Sequence, residues 1–251
     1  MFAESLLPDL SLFDTDLAIA GAVTVVAGLM RGFAGFGSAM AMAPVFAILF
    51  GPAEMVAMIM LMELGVTVQL FPGAVRDAQW RFVGPMGLAA GLAMPFGSYI
   101  LVTIDPALLS RLVAGVVLAF VLFLISGWRY VGEKKLSITL GLGLVSGTMM
   151  ATTSMGGPPV LTYMLAGQDK ARTNRANIIC YFGITEIFLL IVLFTAGLVG
   201  ETGIWRAIIL TPPFMFAAWL GSRLFRESSE QLYRRVALTF LAAVALYGLL
   251  R

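Results

Sequence analysis

The sequence predicts an all-α polytopic membrane protein made of two inverted-topology repeats, each a broken helical hairpin plus three transmembrane helices. Composition, the length of the apolar runs and a weak internal repeat carry that expectation. Of the 251 residues, 60% are hydrophobic and 12% charged, about half the charged fraction of a soluble domain. Several apolar runs approach the roughly 20 residues that cross a hydrocarbon core as a helix, the clearest being 82–102, 108–128 and 178–196. A single soluble core does not need so many.

The absences narrow the chemistry. Cys180 is the one cysteine and histidine is missing altogether. Neither a disulfide framework nor a thiolate metal site can be built within the chain. Zinc, haem and histidine-based proton transfer lose their usual ligands. Ser154 and Thr153 have no histidine to activate them, so the expectation is no enzyme, no cofactor and no metal. The formal charge of +2 says little about partners, and no nucleic acid is expected. Glu4, Asp9, Asp14 and Asp16 precede the first apolar run without a Lys or Arg. That segment lacks the basic start of a secretory signal, so no cleaved peptide is expected.

The internal repeat is ordered although weak. Trp80-Arg81, Gly97-Ser98 and Leu109-Ser110-Arg111-Leu112-Val113 in the first half are answered by Trp205-Arg206, Gly221-Ser222 and Leu232-Tyr233-Arg234-Arg235-Val236. The offset stays between 123 and 125 residues and also takes Glu63 to Glu186. Each half opens with an apolar stretch interrupted by small residues, Arg31 to Gly37 in one and Thr152 to Pro159 in the other. Interrupted hydrophobic segments at corresponding places point to a transporter's binding site.

These spacings set the expected organisation. The first repeat covers 1–135, with a hairpin at 17–50 and helices at about 53–71, 82–102 and 106–129. The second covers 136–251, with a hairpin at 136–167 and helices at about 177–196, 205–222 and 231–250. The apolar leg 17–30 reaches only about 21 Å as a helix, short of the roughly 30 Å hydrocarbon thickness. A hairpin entering and leaving by one face is therefore expected. Two tilted helices in a locally thinned bilayer are the alternative.

Charge asymmetry orients the chain, because short cytoplasmic loops are richer in Lys and Arg. With each hairpin returning to its own face, the N-terminus, Glu54, Asp105 and Glu201 fall outside. Arg76, Arg81, Arg129, Lys134, Lys135, Lys170, Arg172, Arg175, Arg223, Arg226, Arg234 and Arg235 fall inside. The first half then begins outside and the second inside, which inverts the repeat. A bacterial-type inner membrane is the expected location.

The tracts Gly35-Phe36-Gly37-Ser38 and Gly156-Gly157-Pro158-Pro159, each opening one half inside an apolar hairpin, resemble the TauE/SafE family of membrane transporters over nearly the whole chain. The second tract carries the double glycine and prolines usual in that family. The first has Gly-Phe-Gly-Ser where a longer glycine run is common. The resemblance implies secondary transport of a small anion, namely export of sulfite, sulfoacetate or another organosulfonate. An anion channel is the alternative, separated from a coupled carrier by whether substrate moves against its gradient.

The residues supply candidates for such a role. Arg31 lies at the first break, where a charge costs at least ~2.5 to 3.5 kcal/mol on insertion scales. Its planar fork suits two oxygens of a sulfonate or carboxylate; an internal pair with Glu63 is the plainer reading. Gly35, Phe36, Gly37 and Ser38 would present backbone N–H groups at a helix start. Gly156 and Gly157 would do the same, with hydroxyls from Thr152, Thr153 and Ser154. Small residues also serve plain helix packing.

Glu63 and Glu186 sit deep in their segments and are the candidates for coupling to H⁺ or Na⁺. Gln69, Tyr163 and Asn177 are secondary polar candidates. Arg111, Arg206 and Arg223, near helix ends, are expected to snorkel to headgroups. The expected partners are thus a small anion, the lipid bilayer and H⁺ or Na⁺. The oligomeric state stays open, a homo-oligomer included.

Overall fold

The computed structural model describes residues 14–34, 36–126, 135–164, 169 and 171–224. Among them the secondary structure is helical throughout: α1 (Thr15–Ala34), α2 (Ser38–Phe50), α3 (Pro52–Ala74), α4 (Trp80–Thr103), α5 (Pro106–Ser126), α6 (Leu136–Thr153), α7 (Gly157–Met164), α8 (Ala171–Thr195) and α9 (Glu201–Leu224). Local chemistry sets several boundaries. Asp14 Oδ1 accepts the Leu17 N–H at 2.7 Å and caps α1. Pro52 opens α3 behind Gly51 at φ 83°, and Asp105 Oδ1 accepts the Ala107 and Leu108 N–H groups, each at 3.0 Å, to start α5. These are acidic caps and N-terminal prolines satisfying a helix's first donors.

Some elements differ from their expected lengths. α1 has 20 residues and so reaches about 30 Å, because the helix continues past the apolar run through Arg31 and Gly32 to Ala34. α8 begins at Ala171 and α9 at Glu201, earlier than the apolar pattern indicates, since polar first turns are tolerated at a water interface. The expected helix at 231–250 lies outside the described residues, as do Lys134 and Arg226.

Six described helices are long and apolar enough to cross a membrane: α1, α3, α4, α6, α8 and α9. α2 and α7, with 13 and 8 residues, are too short, at about 20 and 12 Å. The outward faces are apolar. Leu88, Leu92, Phe96 and Tyr99 form one exposed stripe on α4, and Ile187, Ile191 and Phe194 another on α8. Contiguous apolar surface of this extent calls for lipid rather than water.

Side-chain contacts locate the two ends of the bundle. At one end Arg206 of α9 binds Glu54 of α3 at 2.7 Å, approaches Asp14 ahead of α1 at 4.0 Å, and lies 4.4 Å from the ring centroid of Phe50, which ends α2. The first hairpin therefore starts and finishes at this end. Arg206 forms this clasp, in place of the expected reach to headgroups.

At the other end the loop before α4 meets the start of α8. Asn177 Oδ1 accepts the Gln79 N–H at 2.6 Å, Asn177 Nδ2 donates to Gln79 Oε1 at 3.2 Å, and Gln79 Nε2 donates to Asp169 at 3.0 Å. The Tyr163 hydroxyl of α7 reaches back to the Lys135 carbonyl, just before α6, at 3.2 Å. Thus the second hairpin also starts and finishes at one level, and α3 runs from the base of the first hairpin toward that of the second.

Helix packing is exchanged between the halves. α1 packs along α9 and α6 along α4, while α3 packs on α8; α3 also meets α9 as α8 meets α4. Glycine permits the two closest crossings. A Cβ on Gly32 would lie 1.8 Å from the Ala218 carbonyl oxygen, and one on Gly147 2.1 Å from that of Ala90. Gly221 and Gly97 complete the crossings from the opposite helices, against the Leu29 and Thr148 carbonyl oxygens at 2.3 and 2.5 Å. Without a water-driven hydrophobic force between helices, such backbone approach is a main source of association in lipid.

Gly32→Ala should therefore destabilise the protein by about 1 to 3 kcal/mol or more through overpacking. Gly84→Ala, which meets nothing within 4 Å, should be neutral. Thermal unfolding of the purified variants in detergent checks the contrast; equal midpoints would contradict the crossing described.

Candidate functional site

The two hairpin tips meet at a cavity of about 30 Å³ lined by Gly37 and Ser38 from the first, Ser154 and Gly157 from the second, and Arg31, Glu63 and Glu186. That volume is enough to admit water. Both carboxylates lie deep: Glu63 is at the middle of α3 (Pro52–Ala74) and Glu186 near the middle of the apolar span Thr173–Thr195. The last turn of α1, which carries Arg31 to these carboxylates, thus ends beside the middles of α3 and α8.

Arg31, in the last turn of α1, is 2% exposed. Its Nε lies 3.1 Å from Glu63 Oε2 and its Nη2 lies 3.7 Å from Glu186 Oε1. The same Nη2 donates to Thr67 Oγ1 at 3.2 Å. The guanidinium also stands over the Phe182 ring, 5.2 Å from its centroid. Ser38 donates its hydroxyl to Glu63 Oε1, so Glu63 is held from both sides. Glu186 stands farther from the guanidinium and shares a hydrogen bond with Thr67; the Oε2 atoms of Glu63 and Glu186 are both buried without a hydrogen-bond partner. One guanidinium and two carboxylates sum to −1 when all are ionised.

The tips have different local causes. Gly37 takes φ 96° before α2, a left-handed conformation natural to glycine, and no side chain caps the helix. Ser154 takes φ 63° and ends α6. For a non-glycine residue that conformation is strained, and such residues gather at functional sites. The second tip is braced from α8 and α6, where Tyr181 donates to Ser146 Oγ at 2.6 Å and Ser146 donates to the Gly156 carbonyl. The first residues of α2 and α7 line the cavity. The N–H groups of Ser38, Ala39 and Met40 and that of Gly157 have no intrahelical acceptor and favour negative charge, while Pro158 and Pro159 have no N–H to offer.

Arg31, Phe36, Gly37, Ser38, Ser154, Gly157, Glu63 and Glu186 are thus brought together, while Gly35 lies outside the described residues. The other candidates face elsewhere. Thr152 donates to the Gly97 carbonyl at 3.1 Å and the Thr148 carbonyl at 2.8 Å, and Thr153 to the Met149 carbonyl at 2.7 Å. The Gly156 carbonyl is taken by Ser146. Tyr163 pairs with Thr139 at 2.8 Å and with Lys135, Asn177 engages Gln79, and Gln69 is exposed.

Sequence reasoning missed Thr67 and Phe182. Both had a signal: Thr67 follows Glu63 by four residues and Phe182 precedes Glu186 by four, which places each on the same helix face as its carboxylate.

These features define a class, a multi-pass membrane protein with a buried charged centre where two interrupted segments converge. A family model described as Sulfite exporter TauE/SafE matches residues 20–248, and the chain belongs to that family of membrane transporters of the sulfite and anion exporter type. No curated protein and no solved structure matches it.

Arg31→Gln should lower stability by about 3 to 5 kcal/mol, because it leaves two buried carboxylates without their cation. Adding Glu186→Gln to that variant should recover part of the loss. Chemical unfolding in mixed micelles tests both steps; a fully stable Arg31→Gln protein would contradict the charged cluster.

Proposed function

We propose that the protein is a secondary active transporter exporting a small anion such as sulfite, sulfoacetate or another organosulfonate. Arg31 fixes the anionic end, the first N–H groups of α2 and the Gly157 N–H of α7 with Ser38 and Ser154 complete the cradle, and Glu63 and Glu186 couple transport to H⁺ or Na⁺. Alternating access exposes this centre to one side and then the other. In this reading the membrane is a bacterial-type inner membrane and the N-terminus lies outside.

One observation carries the reading: a buried arginine stands at the junction of two interrupted segments that reach it from opposite ends of the bundle. Irregular backbone at membrane depth persists where it lines a polar site, and a buried intramembrane arginine marks a substrate or ion path. The exchanged packing of α1 on α9 and α6 on α4 supports two inverted repeats, an arrangement suited to rocking about a fixed central site.

The test is flux in proteoliposomes. Wild-type protein should accumulate sulfite or a sulfonate against its gradient when an opposing ion gradient is supplied. Arg31→Lys keeps the charge and loses the fork, so apparent affinity should weaken roughly 10-fold or more, the worth of about one charge-assisted hydrogen bond. Flux that only ever runs downhill would favour a channel. Unchanged affinity in Arg31→Lys would remove the bidentate role.

A further inference from the structure

We propose that Glu186 takes up one proton with each anion that binds, so that anion and proton cross together, outward whenever the outward anion gradient exceeds the inward proton gradient. This rests on the reading of Arg31 as the anion site. The starting observation is that Arg31 already has anions: Glu63 at 3.1 Å and Glu186 at 3.7 Å. An anion entering the cavity beside them can take Arg31 Nη2 only if Glu186 withdraws from it. Adding an anion without a proton would take the centre from −1 to −2 in a buried setting, where like charges repel strongly. With a proton on one carboxylate the centre stays at −1.

The geometry distinguishes the two carboxylates. Glu63 is gripped by Arg31 Nε and by the Ser38 hydroxyl. Glu186 is the looser partner because it stands 3.7 Å from Nη2 where Glu63 stands 3.1 Å from Nε, and because Ser38 bonds Glu63 alone. The Oε2 atoms of both carboxylates are buried without a hydrogen-bond partner. In the step proposed, the anion's oxygens replace Glu186 at Arg31 Nη2, and a solvent proton goes to Glu186 Oε2. No other bond forms or breaks. Glu63 acts as a positioning residue that keeps the guanidinium aimed into the cavity.

Sodium fits this centre less well. The guanidinium occupies the space between the two carboxylates, and a metal ion there would face a fixed positive charge. The described residues hold no cluster of three or more acidic or cysteine ligands.

The surrounding charges leave this balance in place. Arg175, near the start of α8, interacts electrostatically with Arg31 but is exposed. Tyr181 on α8 is engaged with Ser146, and Cys180 is buried on the same helix. The described cavity residues of α2, α6 and α7 carry no ionisable side chain. Arg81 and Arg111, on α4 and α5, are exposed, and Arg206 on α9 is held by Glu54.

The experiment uses the purified full-length protein in detergent, weakly buffered, with sodium methanesulfonate and a pH indicator. Methanesulfonate remains ionised throughout, so any proton taken up is the protein's. The expected result is uptake of about one proton per anion bound, with affinity falling by up to about tenfold per pH unit as pH rises. The infrared difference spectrum should gain a protonated carboxyl band.

Glu186→Gln should bind methanesulfonate with no uptake and a flat pH profile; Glu63→Gln should bind more weakly yet still take up the proton. Saturable binding without proton uptake, or with release, overturns the proposal and leaves Arg31 as the anion site. Proton uptake persisting in Glu186→Gln also overturns it. Absence of binding of both methanesulfonate and sulfite to folded wild-type protein overturns the Arg31 reading and the proposal with it. Should Glu186→Gln fail to fold, the wild-type carboxyl band decides alone.

Discussion

The buried contact between Arg31 and its two carboxylates is the constraint on which the rest of the structure depends. An arginine at mid-depth is tolerated when its charge and donors are met inside the protein. Here Glu63 comes from α3, Glu186 from α8, and the Thr67 hydroxyl from α3. The cluster therefore ties the first hairpin to a helix from each half. It also places the only described ionisable groups of the cavity at the point where the second hairpin arrives.

Reaching that point requires two interrupted segments to descend into the bundle, and close packing makes the descent stable. Gly32 lets α1 lie against the backbone of α9, and Gly147 lets α6 lie against α4. The hairpins are held at their bases and braced at their tips by different chemistry. The first base is closed by the Glu54–Arg206 pair, and the first tip by Ser38 on Glu63. The second base carries uncharged amide bonds between Gln79 and Asn177, and the second tip the Tyr181–Ser146–Gly156 chain. Glu54 and Asn177 stand 123 positions apart, the offset expected from the sequence for the internal repeat. The bundle thus has an ionic clasp at one hairpin base and a neutral one at the other.

Much of this was legible in the sequence where the physics of lipid leaves few options. A charge inside an apolar run is costly enough to stand out, so Arg31, Glu63 and Glu186 could be singled out one by one. Glycine tracts breaking two such runs marked the tips. Other features were hidden because the sequence does not say where a small polar side chain turns. Thr152, Thr153 and Ser154 look alike as hydroxyls beside a break, yet only Ser154 lines the cavity. Ser146 gave no signal because hydroxyls within helices commonly bond their own backbone. Arg206 resembled an interfacial anchor, and its partner Glu54 lies 152 residues away. The length of α1 was underestimated because hydropathy stops at Arg31 while the helix does not.

The central claim is that one guanidinium serves the two carboxylates and the anion in turn. A structure of the protein saturated with methanesulfonate tests it most directly. The account requires the sulfonate oxygens within hydrogen-bond distance of Arg31, between the tips at Ser38 and Ser154. Glu63 should be retained, and Glu186 should lie well beyond its present 3.7 Å from Nη2. A sulfonate seated elsewhere in the bundle, with Arg31 still bound to both carboxylates, would contradict it.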